Sequence, residues 1–197
     1  MRFTSLKNVS LGLALLSFVS VGAASAQSLV GVNTRLDRTL DSKSASVGQV
    51  VTARLDGTVT AGGTKLPKGT ELVGKVAEVK NGSGQVSLSL VFTAAKLKGG
   101  KEIPVKATVL AAYPQLDQVS ATLGDTAVQP APAQVSEEGE FNQQPGALGH
   151  VSMTSAVKNQ DSGTFSSADG NFKLLAGTNL QVGLAPAGTA SGTSAAE

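Results

Sequence analysis

Chemistry in this 197-residue chain must be built from one histidine, no cysteine and 14 acidic residues. Catalysis of the Ser-His type needs an imidazole held between an oxygen nucleophile and an orienting acid. Only His150 is available, it follows Pro145-Gly146-Ala147-Leu148-Gly149, and no G-x-S-x-G sequence accompanies it. The lack of cysteine removes disulfides, thiol nucleophiles, thiolate zinc and iron–sulfur sites, and also the lipid-acceptor residue of a bacterial lipoprotein. Oxygen-ligand calcium would draw on Asp161 or Asp169, but no D-x-[DN]-x-[DN]-G loop is present, and Asp161-Ser162-Gly163 and Asp169-Gly170 read as turns. Glycoside hydrolysis needs two carboxylates facing one cleft. Glu71, Glu78 and Glu102 instead each lie near a lysine (Lys68, Lys80, Lys101), as on solvated strand faces. The sequence therefore predicts no catalytic residue, no metal and no cofactor, and a protein that is not an enzyme.

One cluster invites a ligand. Lys96, Lys98, Lys101 and Lys106 surround the Gly99-Gly100 turn and form a candidate patch for an anionic partner. The plainer expectation is an edge hairpin kept soluble by its lysines. Single-stranded nucleic acids and sugars need exposed aromatic platforms. Beyond residue 26 the aromatics are Phe92, Tyr113, Phe141, Phe165 and Phe172, of which Phe92 and Phe172 sit in core register. No specific nucleic-acid partner is expected.

The apparent basicity of the chain belongs to its first residues. Met1 to Ala26 has basic Arg2 and Lys7, an apolar stretch from Leu11 to Val21, and Ala24-Ser25-Ala26 before Gln27, which is the layout of a cleavable secretory signal. The apolar stretch is short of the ~20 residues that a membrane span wants. Cleavage before Gln27 removes two of 16 basic residues and leaves 14 against 14 acids, with no membrane span remaining. The remaining charge is segregated: net +6 over residues 27–112, −5 over 113–146 and −1 beyond. Residues 113–146 are rich in Gln, Pro, Ala and Glu and lack apolar periodicity, which predicts a mobile acidic insertion. Attached to a basic domain, it would be drawn toward it at low salt. Residues 186–197 read as a flexible tail.

The rest alternates with period two. Val51, Ala53 and Leu55, then Val86, Leu88, Leu90 and Phe92, then Ile103, Val105, Ala107 and Val109 mark one face of successive strands. Gly62-Gly63, Asn81-Gly82, Gly99-Gly100 and Asp169-Gly170 mark hairpin turns between such runs. Asn81-Gly82-Ser83 also matches a glycosylation sequon, but its place in a turn gives it a geometric role. Short strands resume at residues 150–157, 164–166, 171–175 and 179–184. The expected architecture is all-β: one small β-barrel or β-sandwich of about 8–10 short antiparallel strands, split into residues 27–112 and 147–185 by the acidic insertion.

Two segments echo each other, Leu66-Pro67-Lys68-Gly69-Thr70-Glu71-Leu72 and Leu174-Leu175-Ala176-Gly177-Thr178-Asn179-Leu180, both L-x-x-G-T-x-L. With Thr34-Arg35-Leu36-Asp37, Val50 to Leu55, the extension of the first echo to Gly74, Leu88 to Thr93 and Lys98 to Lys101, this block resembles the C-terminal β domain of TrbI-type subunits of conjugation and type IV secretion channels. It also resembles small exported bacterial proteins of the same pattern with no assigned function. The resemblance spans residues 34–110 and the returning Gly177-Thr178 strand. It implies a barrel-like domain in the cell envelope that assembles with neighbouring subunits and has no catalytic residues, with Leu66, Pro67, Gly69, Thr70, Leu72, Gly74, Gly177 and Thr178 in structural roles. In that family a membrane helix and a proline-rich spacer precede the domain, and its insertion is hydrophobic; here a signal leads into the domain and the insertion is polar and acidic, so pore lining does not carry over. The sequence thus points to an exported, non-enzymatic structural or interaction module, periplasmic or extracellular, with protein partners in the envelope or a second copy paired through an edge strand. The alternative is a periplasmic barrel holding a small apolar ligand, which needs a hollow interior.

Overall fold

Period-two alternation becomes strand wherever one face is buried. The computed structural model describes residues 29–82, 84–115 and 139–187, and among them it is all-β, with no helix. Thirteen strands follow in order: β1 (Val30–Leu36), β2 (Leu40–Asp41), β3 (Val50–Leu55), β4 (Val59–Ala61), β5 (Thr64–Leu66), β6 (Glu71–Asn81), β7 (Val86–Lys96), β8 (Glu102–Tyr113), β9 (Glu140–Leu148), β10 (Val151–Ala156), β11 (Gly163–Ser167), β12 (Lys173–Leu174) and β13 (Asn179–Pro186). Nine lie in one antiparallel sheet of order β6-β3-β1-β13-β8-β7-β11-β10-β9. An additional pairing of β6 with β7 closes the first six into a barrel. The short pairs β2–β12 and β4–β5 form two separate flaps.

Register sends one set of side chains inward around the ring. Thr34 stands opposite Leu55 and Leu180, Ala53 opposite Leu72, Val76 opposite Leu90, and Val182 opposite Val109. These residues and their alternates are buried, so the barrel is filled by Val, Leu and Phe side chains. Thr34 is the polar exception in this interior, and its hydroxyl donates to the Leu180 carbonyl at 3.0 Å. Phe165 and Met153 extend the same core under β10 and β11, where they pack with Leu88 as opposite neighbours across the sheet.

Closing six strands into a ring demands sharp coiling. It is concentrated on the β6–β7 seam, which carries two register shifts, at Val73/Gly74 and Val76/Glu78. Bulges of this kind bend and twist a strand. Gly74 lies under Phe92, and a β-carbon there would run into the Val91 carbonyl oxygen and to 2.9 Å from Phe92 Cα. Glycine is therefore required by the approach of two backbones, and not by a positive φ.

β7 and β8 pair over only Ala94–Lys96 and Glu102–Pro104 before they separate. The first half of β7 then pairs with β11, which leaves one edge of β8 without a strand. Buried backbone groups must find partners, and the main chain of Ser162 together with side chains of the outer segments supplies them here. The Ser162 N–H donates to Leu90 O at 2.7 Å, Ser162 O accepts from Val109 N at 2.7 Å, and Ser162 Oγ accepts from Phe92 N at 2.8 Å. The Ser155 hydroxyl donates to Val109 O. Gln143 takes the place of a strand residue: Ala112 N–H donates to its Oε1 at 2.8 Å and its Nε2 donates to Ala112 O at 2.7 Å. A bulge at Leu110 aligns Val109 and Ala112 toward the same edge.

Several expectations change. β8 runs through Tyr113, and Glu140 to Gly146, assigned by composition to the mobile acidic insertion, form most of β9. Their pairing with β10 and the Gln143 bond to β8 overcome a poor apolar pattern. Residues 116–138, the remainder of that insertion, lie outside the described residues, as do the secretory signal and residues 188–197 of the tail. Pro186 of the expected tail ends β13. Gly62-Gly63 and Gly99-Gly100 join hairpins. At the third hairpin Asn81 still belongs to β6, the main chains of Gly82 and Gln85 bond each other, and Gly84, not Gly82, takes the positive φ. Asp169-Gly170 joins no hairpin, because β11 and β12 belong to different sheets. The strand expected over residues 171–175 shrinks to Lys173–Leu174. Although most of the glycine turns join neighbours, β13 returns between β1 and β8, so the ring is not closed by hairpins alone.

Replacing Gly74 with Ala forces two packed backbones apart, and we expect a loss of about 3 kcal/mol in urea unfolding. Gly100, at φ +88° with no atom within 4 Å of an added β-carbon, is the control. Gly100→Ala is expected to lose only ~1–2 kcal/mol. Equal losses would show that the seam is not where the barrel is tight.

Candidate functional site

The two L-x-x-G-T-x-L echoes fold into the same corner. In the first, Gly69 has φ +84°, its N–H donates to Leu55 O at 2.8 Å, Thr70 O accepts from Leu55 N at 2.9 Å, and Thr70 N donates to Pro67 O at 3.1 Å. In the second, Gly177 has φ +86°, its N–H donates to Leu36 O at 2.7 Å, Thr178 O accepts from Leu36 N at 2.9 Å, and Thr178 N donates to Leu175 O at 3.0 Å. Each corner clasps the last residue of a neighbouring strand, β3 or β1, and turns the chain into β6 or β13. Leu66, Leu72, Leu174 and Leu180 are buried on either side, and so are Thr70 and Thr178. Pro67 is exposed and lends its carbonyl, to which the Thr70 hydroxyl also donates at 2.7 Å. Gly74, two residues beyond Leu72, lies on the β6–β7 seam beneath Phe92.

The equivalence extends further than the motif. Arg35-Leu36-Asp37 and Arg54-Leu55-Asp56 repeat the same tripeptide, and Arg35 stands directly opposite Arg54 in the β1–β3 ladder. Like charges placed so are unfavourable. Each arginine instead reaches the other copy's aspartate, Arg35 to Asp56 at 2.8 Å and Arg54 to Asp37 at 3.5 Å. Such exposed pairs contribute about 0–1 kcal/mol apiece, so their value here is in holding register. Thr39 Oγ1 accepts from Ala176 N at 3.0 Å just as Thr58 Oγ1 accepts from Lys68 N at 3.2 Å. The barrel is therefore built on two intertwined copies of one motif. The repeated R-L-D and L-x-x-G-T-x-L were the signals for this, and only the second is conspicuous in the sequence.

The lysine cluster is only partly assembled. Lys96, Lys98 and Lys101 lie at the exposed β7–β8 hairpin, whereas Lys106 lies further along β8, opposite Ala185 and half-buried. Lys96 stands opposite Glu71 on one side and Glu102 on the other, so two carboxylates face it. Lys98 crosses the first corner, with its Cε 3.5 Å from the place of a Gly69 β-carbon. The hairpin is not the edge expected from its lysines: β7 is paired there with β6 on one side and β8 on the other, inside the ring, and acids interleave its lysines.

His150 lies on the turn before β10, exposed, with Nδ1 3.7 Å from Asp169 Oδ2. Asp161 accepts from the Thr164 hydroxyl at 3.0 Å across its turn. Glu78 pairs with Lys80 at 2.9 Å. Among the described residues no group of three or more His, Asp or Glu side chains is arranged to hold a metal.

One carboxylate is perturbed. Lys173 donates to Asp41 at 3.0 Å and the Lys43 N–H at 2.9 Å, and these contacts hold the Asp41 carboxyl below its ordinary range. The pair ties β12 to β2 beside the second corner. Because the folded pKa is depressed, the stabilisation is complete above the ordinary carboxylate range and is lost as pH falls through the lowered value. We expect a carboxyl NMR titration to place Asp41 below the ordinary aspartate range, and Lys173→Ala to raise it. No change on that substitution would mean that Lys173 is not the cause.

Among the described residues, clefts of about 440, 510 and 250 Å³ open to solvent. The first lies between the chain leaving β1, at Arg38, Thr39 and Leu40, and the start of β3, at Gln49 to Thr52. The other two flank the β10–β11 turn around Asn159 and Asp161.

No protein-family model matches the chain, and no curated protein aligns with it. Among solved structures, the chain is distantly similar to ComB10 of the Com type IV secretion system of Helicobacter pylori, at 11% identity over 80% of this chain and 85% of that one, with a TM-score of 0.38. The fold assigned above rests on the strand pairing itself.

Proposed function

We propose that this protein is an exported, non-enzymatic module of the bacterial cell envelope whose work is to hold other proteins. The observation that carries this reading is the packed barrel, in which Leu36, Leu55, Leu72, Phe92, Leu180 and Val182 fill the space that a small-ligand barrel would keep open. Among the described residues, Asp37, Asp41, Asp56 and Glu78 sit in surface ion pairs and Asp161 anchors a turn. Export is supported by the arrangement of Arg2, Lys7, Leu11 to Val21 and Ala24-Ser25-Ala26. An envelope role is supported by the resemblance of residues 34–110 to the β domain of secretion-channel subunits.

The test is the fate of the full chain in a bacterial cell. N-terminal sequencing of the protein recovered from the periplasm or medium is expected to begin at Gln27, and replacing Ala24 and Ala26 together by Glu should leave the precursor uncleaved. Recovery of the full-length chain in the cytoplasm would overturn the export reading.

A further inference from the structure

The internal duplication exposes one place where its two copies differ in a way that the fold does not need. β1 and β3 run antiparallel with Arg35 opposite Arg54, and the chain diverges from the pair at both ends. At one end the chain leaving β3 passes Gly57 and enters β4, where a β-carbon added to Gly57 would lie 4.0 Å from Val32 Cγ2 on β1. At the other end the equivalent chain, leaving β1, passes Arg38 and enters β2. Arg38 corresponds to Gly57, Thr39 to Thr58 and Leu40 to Val59; across the wedge, Val50 of β3 corresponds to Gly31 of β1. The first wedge carries two glycines where the second carries Arg38 and Val50, and the second opens as the cleft of about 440 Å³.

The open wedge leaves a strand edge unmet. Pairing of β1 with β3 ends at Leu36 and Ala53, with one further bond from Asp37 N to Thr52 O at 3.0 Å. Residues of an antiparallel strand alternate in the side to which their N–H and C=O point. On the β6 side the hydrogen-bonded positions of β3 continue from Gln49, whose carbonyl accepts from Val76 N at 2.9 Å. Val50 therefore turns its N–H and C=O the other way, into the cleft, next in sequence of pairing after Thr52. The cleft wall is mixed, with Leu40, Val50 and Val51 among Arg38, Thr39, Gln49, Thr52 and Glu71. The exposed large hydrophobic residues of the described chain are Val47 at 66%, Val50 at 67% and Leu175 at 46%. Val50 lines the cleft, Val47 lies in the turn before it, and Leu175 follows Leu174, which pairs with Leu40 of the opposite wall.

Charge selects among extended ligands. Glu71 in the cleft stands opposite Arg54 and Lys96, so its carboxylate already has cations on both sides. Arg35 and Arg54 are held by aspartates. Arg38 is exposed at the mouth and presents its guanidinium to whatever enters.

We infer that this cleft is a strand-addition site for an extended segment of a partner protein, in which alternate apolar side chains cover Val47, Val50 and Leu175 and a carboxylate meets Arg38. Main-chain pairing to Val50 supplies affinity, and the apolar and acidic side chains supply selection. The inference deepens the reading of the protein as an interaction module and rests on that reading only for the existence of a partner; its test does not involve export.

The mature chain, residues 27–197, is labelled with nitrogen-15 and titrated with the capped hexapeptide Thr-Val-Asp-Val-Thr-Val. Two controls accompany it, one with Lys in place of Asp and one N-methylated at alternate amides along the pairing edge. We expect saturable shifts at residues 38–40 and 49–52, slowed exchange of the Val50 amide, and at least ~10-fold tighter binding of the acidic than of the basic peptide. Arg38→Glu, at an exposed position, should invert that order, and the N-methylated peptide should not bind. The inference is overturned if millimolar acidic peptide leaves these residues unmoved, if the N-methylated peptide binds equally well, or if the same signals broaden with protein concentration alone. The last result would assign the cleft to a second copy of the chain.

Discussion

Everything in this fold depends on the closure of six strands at the β6–β7 seam. A six-membered ring is tight, so the strands must coil strongly, and the sequence concentrates that demand at Gly74 beneath Phe92, between two register shifts. With the seam closed, the inward faces of all six strands converge and the apolar side chains have one place to go. Open, the same strands would present two long edges to solvent.

Closure has a second consequence. β7 must leave β8 to complete its pairing elsewhere, and the edge that it abandons would carry unpaired amides and carbonyls. Ser162, Ser155 and Gln143 answer that edge from β9, β10 and the turn before β11. The outer strands are therefore held by the polar needs of β8 as well as by Met153 and Phe165. The duplicated corners do the corresponding work at the other side of the ring, where each glycine-threonine pair clasps the end of a neighbouring strand.

Much of this was legible in the residues. The alternation of Val51 to Leu55, Val86 to Phe92 and Ile103 to Val109 announced the strands, and L-x-x-G-T-x-L announced the corners. What escaped were features set by partners distant in sequence. β9 reads Glu-Phe-Asn-Gln-Gln-Pro, a poor strand by composition, because its stabilisation comes from β10 and from one glutamine acting as a strand residue. The necessity of Gly74 depends on the Phe92 backbone, and the dispersal of the lysine cluster depends on Glu71 and Glu102 arriving opposite Lys96. The cleft at Val50 was invisible for the same reason: it exists only as a departure of one copy from the other, after both have been laid across each other.

The barrel is a rigid frame with an unmet strand edge at Val50, and native-state hydrogen exchange of residues 27–197 measures both at once. Hydrogen-bonded amides on both sides of the β6–β7 seam are expected to exchange only through global unfolding, while the Val50 amide, without a bound partner, is expected to exchange at close to the rate of a free chain. A seam that opens well below the global unfolding free energy, or a Val50 amide protected in the isolated protein, would contradict this picture.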